Sequence, residues 1–146
     1  MINGVVVTPL KQIHLDKGAV FHGIKSTDDT FYGFGELYFS QANYSSIKGW
    51  KKHTKMNMNL IVPVGAIKIV VFDDRVSSST NGAYYEIVLS DSNYYRLTIP
   101  AGLWVAFQGI GKNTNLLMNF SDIQHDPAES QVKDLTDIYY DWAKNE

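Results

Sequence analysis

The sequence predicts an all-β fold of the sandwich or jelly-roll type, and two observations carry that expectation. Apolar residues recur at period two or in short β-branched runs, and Gly, Asn, Asp and Ser interrupt them about every eight to twelve positions. Strands are expected near Val5–Val7, Val20–Ile24 and Phe34–Ser40, with the turn residues Thr27, Asp28 and Asp29 separating the last two. Asn57–Pro63 and Ile67–Phe72 follow, and the polar run from Asp73 to Gly82 ends them. Tyr84–Leu89, Tyr94–Ile99, Trp104–Gln108 and Leu116–Asn119 complete the series, parted by Ser90–Asn93, Pro100–Gly102 and Gly109–Asn113. That number of short strands suits a sandwich or jelly roll. After Asp126-Pro127 the texture changes, and a short helical C-terminal segment is expected there. No repeat, low-complexity tract or linker divides the 146 residues, so a single domain, 1–146, is expected.

Composition narrows the function. A net charge of −2 is too close to neutral for a protein that coats nucleic acid or an acidic membrane. With no cysteine there is no disulfide scaffold, thiol nucleophile or thiolate zinc site. The opening residues lack a basic segment and a long apolar run, so no signal peptide is expected. The stretch from Leu60 to Val71 is broken by Pro63, Gly65 and Lys68, well short of the roughly 20 residues of a membrane span. The expected location is the cytoplasm.

The basic residues are unevenly spread. Lys48, Lys51, Lys52 and Lys55 crowd around His53. Were this segment to run extended into the next strand, Lys51, His53, Lys55, Asn57 and Asn59 would share one face, and Met56, Met58, Leu60 and Val62 the other. The polar face could line a cavity that offers cations to a diphosphate and amides to sugar hydroxyls. A strand with one solvated face gives the same pattern. His53 has the ordinary chemistry of a general base, whereas His14, His22 and His125 share no metal-ligand spacing with it. Phosphate-binding loops and nucleophile elbows are absent from the sequence.

Three segments in order carry a family resemblance: Ile47–His53 ("IKGWKKH"), Val70–Gly82 ("VVFDDRVSSSTNG") and Val88–Phe107 ("VLSDSNYYRLTIPAGLWVAF"), followed by Asp126–Glu129 ("DPAE"). They resemble the dTDP-4-dehydrorhamnose 3,5-epimerases, a family of the cupin superfamily. The resemblance implies a cupin-type jelly roll, a homodimer, and action on nucleotide-linked 4-keto-6-deoxy sugars for surface polysaccharide. Carried over residue by residue, the family's basic histidine falls on Lys51, with His53 two places on and on the same face. Its acid tyrosine falls on Met118 or Asn119, and a further histidine falls on Val105. The C-terminal segment whose Asp supports the base has no counterpart.

The expectation is therefore a divergent epimerase or isomerase working by proton transfer next to a ketone. In it His53 or Lys51 takes the proton, Lys55, Asn59 and Asn119 are candidates to stabilise the enolate, and Lys48 and Arg75 bind the substrate. Trp104 would stack at the cavity mouth, and Tyr139 or Tyr140 is a candidate replacement acid. Metal-binding cupins use three histidines where this chain has Lys51, His53 and Val105, so no metal or other cofactor is expected. The alternative is a catalytically silent cupin that binds a nucleotide-sugar or carbohydrate.

Overall fold

A computed structural model of the protein describes residues 1–144. The strands are β1 (Val6–Pro9), β2 (Gln12–Ile13), β3 (Val20–Phe21), β4 (Glu36–Gln41), β5 (Ile47–His53), β6 (Met58–Val64), β7 (Ala66–Phe72), β8 (Tyr84–Ser90), β9 (Tyr95–Ile99), β10 (Trp104–Gly109), β11 (Leu116–Ser121) and β12 (Ser130–Lys133). Helical structure among the described residues is one 3₁₀ turn, Pro127–Glu129, capped by Asp126. The segment read as helical is thus a single turn followed by an edge strand.

Two five-stranded antiparallel sheets face each other. The first has the order β1-β9-β6-β11-β4 and the second β12-β5-β10-β7-β8, while β2 and β3 form a separate hairpin. Alternation in each strand supplies the core between them. From the first sheet come Met58, Leu60, Leu97, Ile99 and Leu117, and from the second Ile67, Ile69, Val71, Leu89 and Val105.

Strands β5 and β6 are consecutive in sequence but belong to opposite sheets, and this corrects the single-face reading. The chain leaves the second sheet at His53 and enters the first at Met58, so the alternation restarts on crossing. Lys51 and His53 face inward from β5, whereas from β6 it is Met58 and Leu60 that face inward. A bulge in β5 adds one more inward residue. Val105 pairs with Lys51 but Phe107 with Lys48, so two β5 residues stand opposite one of β10, and Lys48 rejoins the inner face.

A second bulge follows from proline chemistry. Pro63 lies in β6, between β9 and β11, without an N–H for the ladder. The β6–β11 register shifts there, from Leu116 opposite Val64 to Met118 opposite Ile61.

The outer face of the second sheet is also covered. Trp50, Val70, Trp104 and Ala106 form a second buried cluster beneath Ile138, Tyr140 and Trp142 of the C-terminal segment. Trp50 Nε1 donates to the Ile138 carbonyl at 3.0 Å. Buried Lys68 donates to the carbonyls of Trp142 and Lys144 at 3.2 and 3.3 Å. No helix among the described residues is long and apolar enough to cross a membrane.

Candidate active site

Between the sheets lies an open-mouthed cavity of about 270 Å³. Its second-sheet wall carries Lys48, Lys51, His53, Val105 and Phe107. The first-sheet wall carries Tyr38, Ser40, Met58, Leu60, Leu117 and Asn119. Polar groups gather within a mostly apolar lining, the usual composition of a small-molecule site.

His53 is buried, and its Nδ1 meets Glu129 Oε1. Glu129 sits at the end of the 3₁₀ turn, one residue before β12, whose Ser130 is the cross-strand partner of His53. Its other oxygen, Oε2, accepts from the backbone N–H groups of Lys55 and Met56 at 3.1 and 3.2 Å. Burial pushes the Glu129 carboxyl up, but the hydrogen bond from His53, the two backbone donors and the histidine's charge outweigh it and leave it below the ordinary value. Glu129 is therefore an ionised acceptor and Nδ1 of His53 its donor, and in the neutral imidazole that contact puts the lone pair on Nε2. Among the described residues Nε2 has no hydrogen-bond partner. The histidine is thus fixed in tautomer and orientation, with its basic nitrogen free.

The two lysines of the cavity differ. Lys48 Nζ donates to Ser40 Oγ at 2.7 Å and to the Gln41 carbonyl at 2.9 Å, bridging the sheets and retaining one free proton. The Lys51 ammonium has no hydrogen bond or ion pair among the described residues. On the opposite wall Asn119 Nδ2 donates to Tyr38 Oη at 2.9 Å, while the buried Asn119 Oδ1 has no partner.

Lys48, Lys51, His53 and Asn119 line one cavity, whereas Lys55, Asn59, Arg75, Trp104, Tyr139 and Tyr140 stand elsewhere. Lys55 is exposed at the crossover, and its contribution is the backbone N–H on Glu129. Asn59 points to the outer face of the first sheet because of the phase change between sheets. There its Oδ1 accepts from Arg96 Nε at 3.1 Å and Thr98 Oγ1 at 2.6 Å, and its Nδ2 donates to the Thr30 carbonyl.

Arg75 is turned back onto Asp73, donating from Nε and Nη2 at 2.9 Å each, and onto the Asn3 carbonyl at 2.8 Å. It locks a turn. Trp104 alternates with cavity-lining Val105 and so faces outward. Its Nε1 donates to Asp74 at 2.8 Å, and the Lys52 and Lys133 ammoniums lie 4.7 and 4.8 Å from its ring centre. Tyr140 belongs to the same outer cluster and Tyr139 is exposed, so neither reaches the cavity.

Glu129 is the main residue that sequence reasoning missed as a site residue. The base's carboxylate partner was expected to be lacking, but Glu129 supplies one through a contact 76 residues away in sequence. The available signal was the Asp126–Glu129 segment, whose capped turn aims the glutamate inward. Tyr38, on the opposite wall, was likewise absent from the candidate site residues. No three His, Cys, Asp or Glu side chains among the described residues form a group able to hold a metal ion.

Comparison with known proteins bears on this cavity. The family model for dTDP-4-dehydrorhamnose 3,5-epimerase matches residues 2–145. A dTDP sugar isomerase from Desulfovibrio desulfuricans superposes with a TM-score of 0.94 at 34% identity, over 99% of this chain and 94% of that one. The probable low-salt glycan biosynthesis epimerase Agl13 of Haloferax volcanii is 29% identical over 110 residues, 72% of this chain and 70% of that protein. The spore coat polysaccharide biosynthesis protein SpsL of Bacillus subtilis is 24% identical over 133 residues, 91% of this chain and 88% of that protein. ChmJ, a 3'-monoepimerase from Streptomyces bikiniensis in complex with dTDP-quinovose, shares the fold with a TM-score of 0.86 at 17% identity, over 99% and 77% of the two chains.

Proposed function

Because this chain belongs to the dTDP-4-dehydrorhamnose 3,5-epimerase family, we propose that it epimerises or isomerises a nucleotide-linked 4-keto-6-deoxy sugar destined for surface polysaccharide. The observation that carries this reading is the free Nε2 of His53, held by Glu129 inside the cavity. A carbon next to a ketone is acidified because its electron pair moves onto the carbonyl oxygen when the proton leaves. His53 Nε2 takes that proton, and Glu129 stabilises the imidazolium that results. Lys51, unpaired on the same wall, faces the enolate oxygen as it gains charge. Lys48, at the bridge between the walls, offers its remaining proton to the diphosphate. Met58, Leu60, Val105 and Leu117 provide the apolar surface that a 6-deoxy methyl group requires. The same reading has the protein act as a homodimer in the cytoplasm, which light scattering and cell fractionation check.

The test is deuterium wash-in. The protein is incubated in heavy water with a dTDP-4-keto-6-deoxy sugar, and the carbons flanking the ketone are followed by NMR. Exchange is expected at one or both, and His53→Asn should slow it by about 10²-fold or more. If nucleotide-sugars bind tightly but none exchanges, the protein is a binding module and the catalytic reading fails.

A further inference from the structure

Resting on that catalytic reading, we propose that Tyr38 is the proton donor that completes inversion, acting from the cavity wall opposite His53. The requirement is stereochemical. A base that removes a proton and returns it to the same face regenerates the starting sugar, so epimerisation needs a second group on the other face of the enolate. His53 and Lys51 both project from the second sheet and address the same face. The donor must therefore stand on the first sheet.

The polar side chains on that wall are Tyr38, Ser40 and Asn119. Ser40 Oγ already accepts from Lys48, and an amide or an alcohol is a far weaker acid than a phenol. Tyr38 is the cross-strand partner of Asn119, whose Nδ2 donates to the phenol oxygen at 2.9 Å. Tyr38 Oη is thus an acceptor in its contact with the protein, and its own proton remains available to the cavity. The same amide stabilises the phenolate left after the proton departs. Asn119 Oδ1, buried and unpartnered, is left as an acceptor for a sugar hydroxyl.

The proton account closes. His53 Nε2 takes the proton and the electron pair of the C–H bond moves onto the ketone oxygen. The enolate then returns its pair to the same carbon, which bonds to the Tyr38 proton on the opposite face. Imidazolium and phenolate are left, and the open mouth lets water carry a proton from one to the other.

The test separates exchange from inversion with Tyr38→Phe, which preserves the ring and its packing. In heavy water, wild type should give both wash-in and the epimer. Tyr38→Phe should keep wash-in within a few-fold, through His53 alone, while epimer formation falls by about 10²-fold. Asn119→Leu, acting through the phenol, should lower the ratio of inversion to exchange in the same direction. Unchanged inversion in Tyr38→Phe, or loss of exchange and inversion together with binding of dTDP retained, would overturn the assignment. A wild type that binds but does not exchange overturns the catalytic reading beneath it.

Discussion

Glu129 makes three polar contacts with two oxygens, and each contact has a separate consequence for substitution. Glu129→Gln would present an amide N–H₂ to His53 Nδ1 or to the backbone donors of Lys55 and Met56. If it faces His53, Nδ1 must become the acceptor and the proton moves to Nε2, which removes the base. Proton exchange should fall by roughly 10²- to 10³-fold with binding of dTDP largely retained, as wash-in kinetics and isothermal titration would show. Asn59 gives the opposite pattern. It is buried outside the cavity, and Asn59→Leu strips Arg96 Nε and Thr98 Oγ1 of their shared acceptor. That change should lower stability by about 2–4 kcal/mol in denaturant unfolding while leaving the exchange rate of the folded fraction near wild type.

At the level of strands, the hairpin from β6 to β7 turns at Gly65, where φ is +77° and an added Cβ would lie 2.4 Å from Asn115 Oδ1 and the Thr114 carbonyl. Gly65→Ala should destabilise the protein by about 2 kcal/mol or more, read from urea unfolding, because left-handed strain and a clash against backbone act together. Strands β7 to β11 were legible because each keeps one phase and ends in recognisable turn residues. The β5–β6 region was legible in composition but not in geometry, since nothing local marks a change of sheet between His53 and Met58. Hence Asn59 was assigned to the cavity face and Met58 to the other, the reverse of their placement. Lys48 was found by its charge, although the bulge that turns it inward depends on pairing with β10. Trp104 and Arg75 were drawn from turns that adjoin the site in sequence, while their partners Asp74 and Asp73 hold them outside it. The pairings His53–Glu129 and Tyr38–Asn119 span 76 and 81 residues, and only the assembled sheets create them.

At the scale of the whole molecule, three carboxyls among the described residues are held below their ordinary values. Arg75 is the main cause for Asp73, aided by Ser78 and Thr80 against opposing burial. For Asp74 burial opposes, and Trp104, Lys52 and Lys133 prevail, while Glu129 is governed by the contacts around His53. A carboxyl depressed in the fold contributes stability that is full above the unfolded value near 4 and is lost as pH falls below it, because the unfolded chain then binds more protons. Thermal unfolding should therefore drop steeply from about pH 5 to pH 3, and Asp73→Asn should flatten that slope while lowering the midpoint at pH 7. The position of Glu129 beside β12 adds a kinetic consequence. β12 is an outer strand with one neighbour, and such strands open locally long before the centre of a sheet does. Each opening unhooks the carboxylate from the imidazole, so the time the base spends correctly aimed is set by fraying of this margin. On heating, catalysis should fade before the cooperative melt, in step with hydrogen exchange at the β12 amides.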